Sequence, residues 1–332
     1  MHRHSKVTAM NRRLLLLSPL MAAALTALGL PAARAQANYP SQPLKIIVAT
    51  PAGGASDTAA RLLAQSLSRN LGQAVIVENK PGGNGVPAVQ AALSAPADGH
   101  TLLWAMASMT GMPMLVKGSP IKSMSEFAPV AAVVNLVYGL FVNPNVPASN
   151  LAEFGAYLKA NPDKLSYGTG VLSEYMVATH YLRSIGARAV RVPYKGGAQV
   201  MPDLISGDLQ FNLGPLAPAL PHVKSGKLRL LATLPDRSES APGVPALQEA
   251  GIATDALPTW NGLVAPPGTP REVTERLAVE VNRALADNGL RGSLEAQGFR
   301  VAGGTPQQMA AALEAAAAVW RQFIRDYDIP QE

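Results

Sequence analysis

The stretch Pro51-Ala52-Gly53-Gly54-Ala55-Ser56-Asp57 follows an apolar run, Leu44 to Thr50, and leads straight into a helical pattern. Glycines let a backbone approach a ligand closely and adopt positive φ, and Ser56 or Asp57 is placed to cap the following helix. Such a helix start offers unpaired N–H groups and the positive end of the helix dipole, so the chemistry it favours is the holding of a carboxylate or phosphate. The turn has neither the lysine of a P-loop nor G-x-G-x-x-G spacing, which argues against a nucleotide. Two further turns repeat the pattern: Tyr167-Gly168-Thr169-Gly170 ahead of Ser173, and Tyr194-Lys195-Gly196-Gly197. Three such turns predict a cleft with hydrogen-bond donors on both walls, the geometry of a hinged binding protein.

Other constellations carry different chemistry. Met106, Met109, Met112 and Met114 are spaced as thioethers that could take Cu(I), or as flexible packing at a pocket wall. Ser119-Pro120-Ile121-Lys122 fits the S-x-x-K of serine acyl transfer, but no partner motif follows it. There is no G-x-S-x-G elbow, no H-E-x-x-H and no paired-acid motif. The absence of cysteine excludes disulfides, zinc-thiolate sites and thiol nucleophiles. Beyond the leader the histidines are His100, His180 and His222, read as structural, with His222 at a helix start. The expectation is carriage without catalysis, with no cofactor and no metal.

The elements that must position these turns begin after a leader. Arg3, Lys6, Arg12 and Arg13 precede an apolar stretch from Leu14 to Leu30, broken by Pro19, and Ala33-Arg34-Ala35 is a small-x-small cleavage site. Residues 1–35 therefore read as a cleaved signal peptide, by the general or the twin-arginine route, that exports the protein. The formal charge of the whole chain is +6, but the leader carries five of the 28 Lys and Arg and no acid, so the remainder is near neutral at +1. With no basic patch surviving, nucleic acid is not an expected partner.

From Leu44 short β-branched runs alternate with amphipathic stretches, the signature of βαβ units around mainly parallel sheets. Strands are expected near 44–50, 74–78, 101–106, 140–143, 165–168, 189–193, 209–213, 228–233 and 261–265. Helices are expected from Ala59 to Leu71, ended by Gly72, and at 150–160, 173–186, 197–206, 270–286 and 306–327. Trp320, Phe323, Ile324 and Tyr327 form an apolar stripe on the last helix, read as core.

A run of motifs extends over nearly the whole chain beyond the leader: Tyr39-Pro40-Ser41-Gln42-Pro43, Pro51-Ala52-Gly53-Gly54 with Asp57, Val77-Glu78-Asn79-Lys80-Pro81-Gly82-Gly83, Asp98-Gly99-His100-Thr101-Leu102-Leu103, Phe127-Ala128-Pro129-Val130, Val192-Pro193-Tyr194-Lys195-Gly196, Pro221 to Arg229, and Trp260-Asn261-Gly262-Leu263. With these the chain resembles the Bug receptors, the periplasmic solute-binding proteins of the tripartite tricarboxylate transporter type, TctC-like. The resemblance implies a two-domain α/β periplasmic binding protein, type II-like, with two crossing strands as hinge. The domains would be 39–137 plus 262–332, and 138–261. It also implies a monomer that closes on a small organic carboxylate and delivers it to membrane transporter subunits; an exported sensor partner is the alternative. Carried over by position, it implies ligand contacts from Ala52, Gly53, Gly54, Asp57, Ala107, Ser108, Thr169, Ser173, Lys195, Gly196 and Pro215. Three departures from the family pattern, Val171-Leu172 in a shortened loop, Gly214-Pro215 in place of Asp-Asn, and Met106 with Met109, imply a more apolar pocket for a carboxylate with an apolar or aromatic body.

Overall fold

The computed structural model describes residues 39–254 and 257–331; the leader reading of residues 1–35 lies outside them. From Pro43 onward the chain forms one compact unit. In chain order it comprises β1 (Leu44–Val48), α1 (Ala55–Leu71), β2 (Val75–Asn79), α2 (Val86–Leu93), β3 (Thr101–Met106), a 3₁₀ turn (Ala107–Gly111), α3 (Met112–Leu115), β4 (Ala128–Leu136) and β5 (Tyr138–Val142). There follow α4 (Leu151–Ala160), β6 (Ser166–Thr169), α5 (Leu172–Ser184), β7 (Val190–Pro193), α6 (Val200–Ser206), β8 (Phe211–Pro215), α7 (Leu216–Lys224) and β9 (Arg229–Leu234). The chain then adds β10 (Trp260–Ala265), α8 (Arg271–Ala286), α9 (Asn288–Ala296), β11 (Phe299–Val301) and α10 (Pro306–Tyr327).

The strands make two sheets, ordered β11-β4-β10-β3-β1-β2 and β7-β6-β8-β5-β9. The expectation of mainly parallel sheets is met where βαβ units build them, since β1 pairs in parallel with β2 and β3, and β6 with β7 and β8. Elsewhere the sheets are antiparallel: β10 runs against β3 and β4, and β5 against β8 and β9. The reason is the route of the chain. β4 and β5 belong to different sheets and are separated by Val137 alone, and β10 re-enters the first sheet beside β4, with Leu136 N–H donating to the Thr259 carbonyl at 2.9 Å. β5 and β10, the strands that enter a sheet across this junction, run against its parallel strands, whereas β4, which leaves the first sheet, runs with them.

Local chemistry accounts for the element ends that matter to the site. β1 is buried except at Lys45, as a central strand covered on both faces should be. α1 starts at Gly54 and stops at Gly72, whose φ of 65° only glycine adopts without strain. α7 is a helix that three prolines in the span Pro215 to Pro221 argue against; it forms because Pro215 and Pro218 fall at its start, where missing N–H groups are not needed. His222 consequently sits in the last turn of α7 and not at a helix start.

The second sheet's core gathers Phe141, Val200, Leu204, Leu216 and Leu220, while Leu115, Leu172, Met176, Trp320 and Phe323 form a cluster that joins α3, α5 and α10. His180 on α5 bonds Tyr327 Oη at 2.9 Å through Nδ1 and the Ala253 carbonyl at 2.6 Å through Nε2, a structural tie between helices.

Candidate ligand pocket

A cavity of about 40 Å³ opens between the carboxyl end of β1 and the start of α5, several times the space one water needs. On the first sheet's side it is lined by Thr50, Gly54, Ala55 and Ser56, by Met106, Ala107 and Ser108, and by Trp260 and Asn261 of β10. Helix geometry leaves the N–H groups of Ala55 and Ser56 without an intrahelical acceptor. Beside them the Thr50 hydroxyl is buried and has no hydrogen-bond partner. Ser56 Oγ is already engaged: Asn261 satisfies its neighbours with its amide oxygen 2.8 Å from Ser56 Oγ and 3.1 Å from Trp104 Nε1, and its nitrogen toward the Trp260 carbonyl. One buried orphan hydroxyl and two free amides converge, which is a seat for an anionic oxygen.

The second sheet's side is chemically different. Ser173, Glu174, Gly197, Asn212 and Pro215 line it, and the Tyr138 hydroxyl donates to Ser173 Oγ at 2.9 Å. Glu174, third residue of α5 and 1% exposed, turns its carboxyl back onto its own loop and accepts the Gly170 N–H at 2.5 Å. Burial pushes the Glu174 carboxyl up to about 7, outweighing the Gly170 and Val171 amides that favour its charged form. Burial also pushes the Tyr138 phenol well above its ordinary value, and the nearby Glu174 adds to the rise. A side chain at residue 197 would collide with Glu174, since a β-carbon there would lie 2.4 Å from Oε1.

Five of the residues implied by resemblance come together around this cavity: Gly54, Ala107, Ser108, Ser173 and Pro215. Lys195 borders a smaller adjoining cavity with Ser108, Gly170 and the 82–85 loop. The other five face elsewhere, each for a visible reason. Ala52 and Gly53 form the exposed tip of the turn. Asp57 is spent inside its own wall, accepting from Gly53 N–H (3.0 Å), Arg61 Nε (3.0 Å) and Asn79 Nδ2 (2.8 Å). Burial works to raise its carboxyl, but Arg61, Gly53 and Asn79 outweigh it and hold the group below the ordinary carboxylate value. The Thr169 hydroxyl accepts from Arg191 Nε at 2.9 Å, and Gly196 abuts the Pro51 ring.

Sequence reading does not single out Thr50, Tyr138, Glu174, Asn212 or Trp260 as pocket residues. For Glu174 a signal existed: an acid in the first turn of the helix after a glycine-rich turn. Met109 and Met112 are buried, and Met109 packs against Gly85, not into the pocket. Leu172 likewise belongs to the Trp320 cluster, so of the residues read as making the pocket apolar only Val171, Met106 and Pro215 line it. Ser119 Oγ is taken up in a turn, donating to the Ile121 carbonyl at 2.9 Å.

Two mixed sheets joined by crossing strands, with a cavity holding a few polar groups at the mouths of their β-segments, define a solute-binding protein. The chain belongs to the tripartite tricarboxylate transporter family receptors, whose family model matches residues 59–329. It is 35% identical over 323 residues to a UPF0065 protein of Bordetella bronchiseptica, covering 96% of this chain and 93% of the relative. Among solved structures it is similar to the periplasmic binding protein BugD, with a TM-score of 0.84, 26% identity, and coverage of 89% of this chain and 100% of BugD. It is also similar to R. palustris Rpa4515, solved with adipate, with a TM-score of 0.84, 27% identity and the same coverage of 89% and 100%. The family is one of solute-binding receptors and not of enzymes. Among the described residues no helix is long and apolar enough to cross a membrane.

Proposed function

We propose that this chain is an exported, periplasmic receptor that captures a small organic carboxylate and hands it unchanged to the membrane subunits of a tripartite tricarboxylate-type transporter. The observation that carries the reading is the Thr50 hydroxyl, buried without a partner beside the free amides of the α1 start. An unpaired polar group in that position is costly unless a ligand completes it. The adipate bound by Rpa4515 supports the ligand class. Three charge-assisted hydrogen bonds at about 1.5–3 kcal/mol each, less the cost of ordering the protein around the ligand, correspond to a complex in the micromolar to millimolar range. Native mass spectrometry of the freshly purified protein, followed by calorimetry with a panel of carboxylates, is expected to return a bound acid. Absence of both a copurifying acid and any calorimetric response across the panel would refute the reading.

Residues 39–137 with 262–332 are proposed to move against 138–261, with Val137 and the strand entering β10 as the hinge. Gly196 bears on this. Its backbone is extended (φ 170°), so alanine fits the conformation, but a β-carbon would lie 2.2 Å from Pro51 Cδ on the opposite wall. Gly196→Ala should leave the fold intact, hold the walls apart, and weaken binding of the acid found above by roughly 5- to 100-fold. Equal calorimetric affinity in the two proteins would remove closure from the mechanism.

A further inference from the structure

The two walls of the pocket offer different hydrogen-bonding groups. On the first are donors: the Thr50 hydroxyl and the N–H groups of Ala55 and Ser56. On the second, acceptors converge around Gly214. Asn212 spends its Nδ2 on the Gly168 carbonyl at 2.9 Å, and its Oδ1 lies 2.4 Å from where a β-carbon on Gly214 would stand. Glu174 Oε1 lies 3.5 Å from the same point. Among the described residues the Gly170 N–H engages Oε2, the Val171 amide also bears on the carboxyl, and no lysine, arginine or histidine forms an ion pair with it.

A buried carboxyl facing a cavity with no cation is expensive as an anion, and a second carboxylate brought against it would be repelled. A ligand N–H removes both costs: it gives Oε1 a charge-assisted hydrogen bond and offers Asn212 Oδ1 a donor. We propose that the ligand carries an N–H donor, a protonated amine or an amide, at the end away from its carboxylate, and that Glu174 selects for it. The assignment rests on the reading of the pocket as a carboxylate receptor and adds the second recognition element to it.

The test is calorimetry of the full exported protein, wild type and Glu174→Gln, against paired acids: glutarate with glutamate, succinate with aspartate, and phenylpropanoate with phenylalanine. The wild type should bind the nitrogen-bearing member of a pair about 10- to 100-fold more tightly than its deaminated counterpart. Glu174→Gln, which keeps an oxygen for the Gly170 amide, should still bind carboxylates but bring that ratio close to one. Wild-type preference is measured without the variant, so a misfolded variant does not protect the proposal. A wild type that prefers the deaminated members, or an unchanged ratio in the variant, would overturn the role of Glu174 alone. Failure of both proteins to bind any member would overturn carboxylate capture itself, and this assignment with it.

Discussion

Replacement of Trp320 by alanine is expected to lower the unfolding free energy by about 3–5 kcal/mol, the cost of emptying a large aromatic site that cannot collapse. Trp320 is fully buried, and its indole fits so closely over Gly111 that a β-carbon there would come 2.6 Å from Cδ2. Gly111 ends the 3₁₀ turn that carries Ala107 and Ser108, and Leu172 and Met176, in the same cluster, sit on α5, which carries Ser173 and Glu174. One side chain therefore braces the elements behind both walls of the pocket, and ligand affinity should fall along with stability. The indole Nε1–H is buried without a partner, so it contributes no hydrogen bond that phenylalanine would lose. Trp320→Phe should accordingly cost far less than Trp320→Ala. Denaturant melts of the three proteins measure this, and an alanine variant within about 1 kcal/mol of wild type would show that α10 does not hold the walls.

Glu174 should impress its own pH dependence on stability. Its carboxyl rises from an ordinary 4.5 to about 7 in the folded protein, so between those values the native state keeps a proton that the unfolded chain has released. Stability from this group is therefore fully present at acidic pH, falls as pH rises through that window by about 3 kcal/mol, and is level above it. The groups that face the carboxyl are the Gly170 and Val171 amides, which do not titrate, and the Tyr138 phenol, which stays protonated throughout. Asp57, Glu78 and Asp236 act in the opposite sense, since lowered carboxyl pKa values contribute stability that is lost on acidification. The difference between wild type and Glu174→Gln, followed by thermal melts from acid to neutral pH, isolates the one group. Parallel pH profiles would sink the idea that this carboxyl is buried and unpaired.

Much of the architecture is legible in the amino-acid order because it is local. β1, the glycine turn and α1 follow from an apolar run, Gly53-Gly54 and the stripe Ala59, Leu63 and Leu67, all buried as a helix face should be. Gly72 closes the helix in the left-handed region as its position requires. β4 and β11 are less legible, because Ala128–Leu136 mixes alanine and valine without a clear period and Phe299–Val301 is three residues long. The placement of the crossing strands depends on pairings between residues more than a hundred positions apart, such as Trp260 with Asn135. No periodicity encodes that distance.

The pocket divides in the same way. That an anion seat lies at the end of β1 was written in the glycines and the helix start, because the amides of a first turn are unpaired whatever the rest of the chain does. Which hydroxyl completes the seat was not, since Thr50 becomes an orphan only when its surroundings bury it. Position 214 shows the limit most clearly. As a sequence position it reads as the loss of an acid, yet Glu174, forty residues earlier, brings Oε1 to within 3.5 Å of where that side chain would begin. By itself the sequence determined the helices, the turns and the presence of donors, which are short-range consequences of residue type. Only the tertiary structure decided which side chains share the cavity and which acid faces it unpaired, because burial and charge pairing belong to neighbours in space and not to neighbours in the chain.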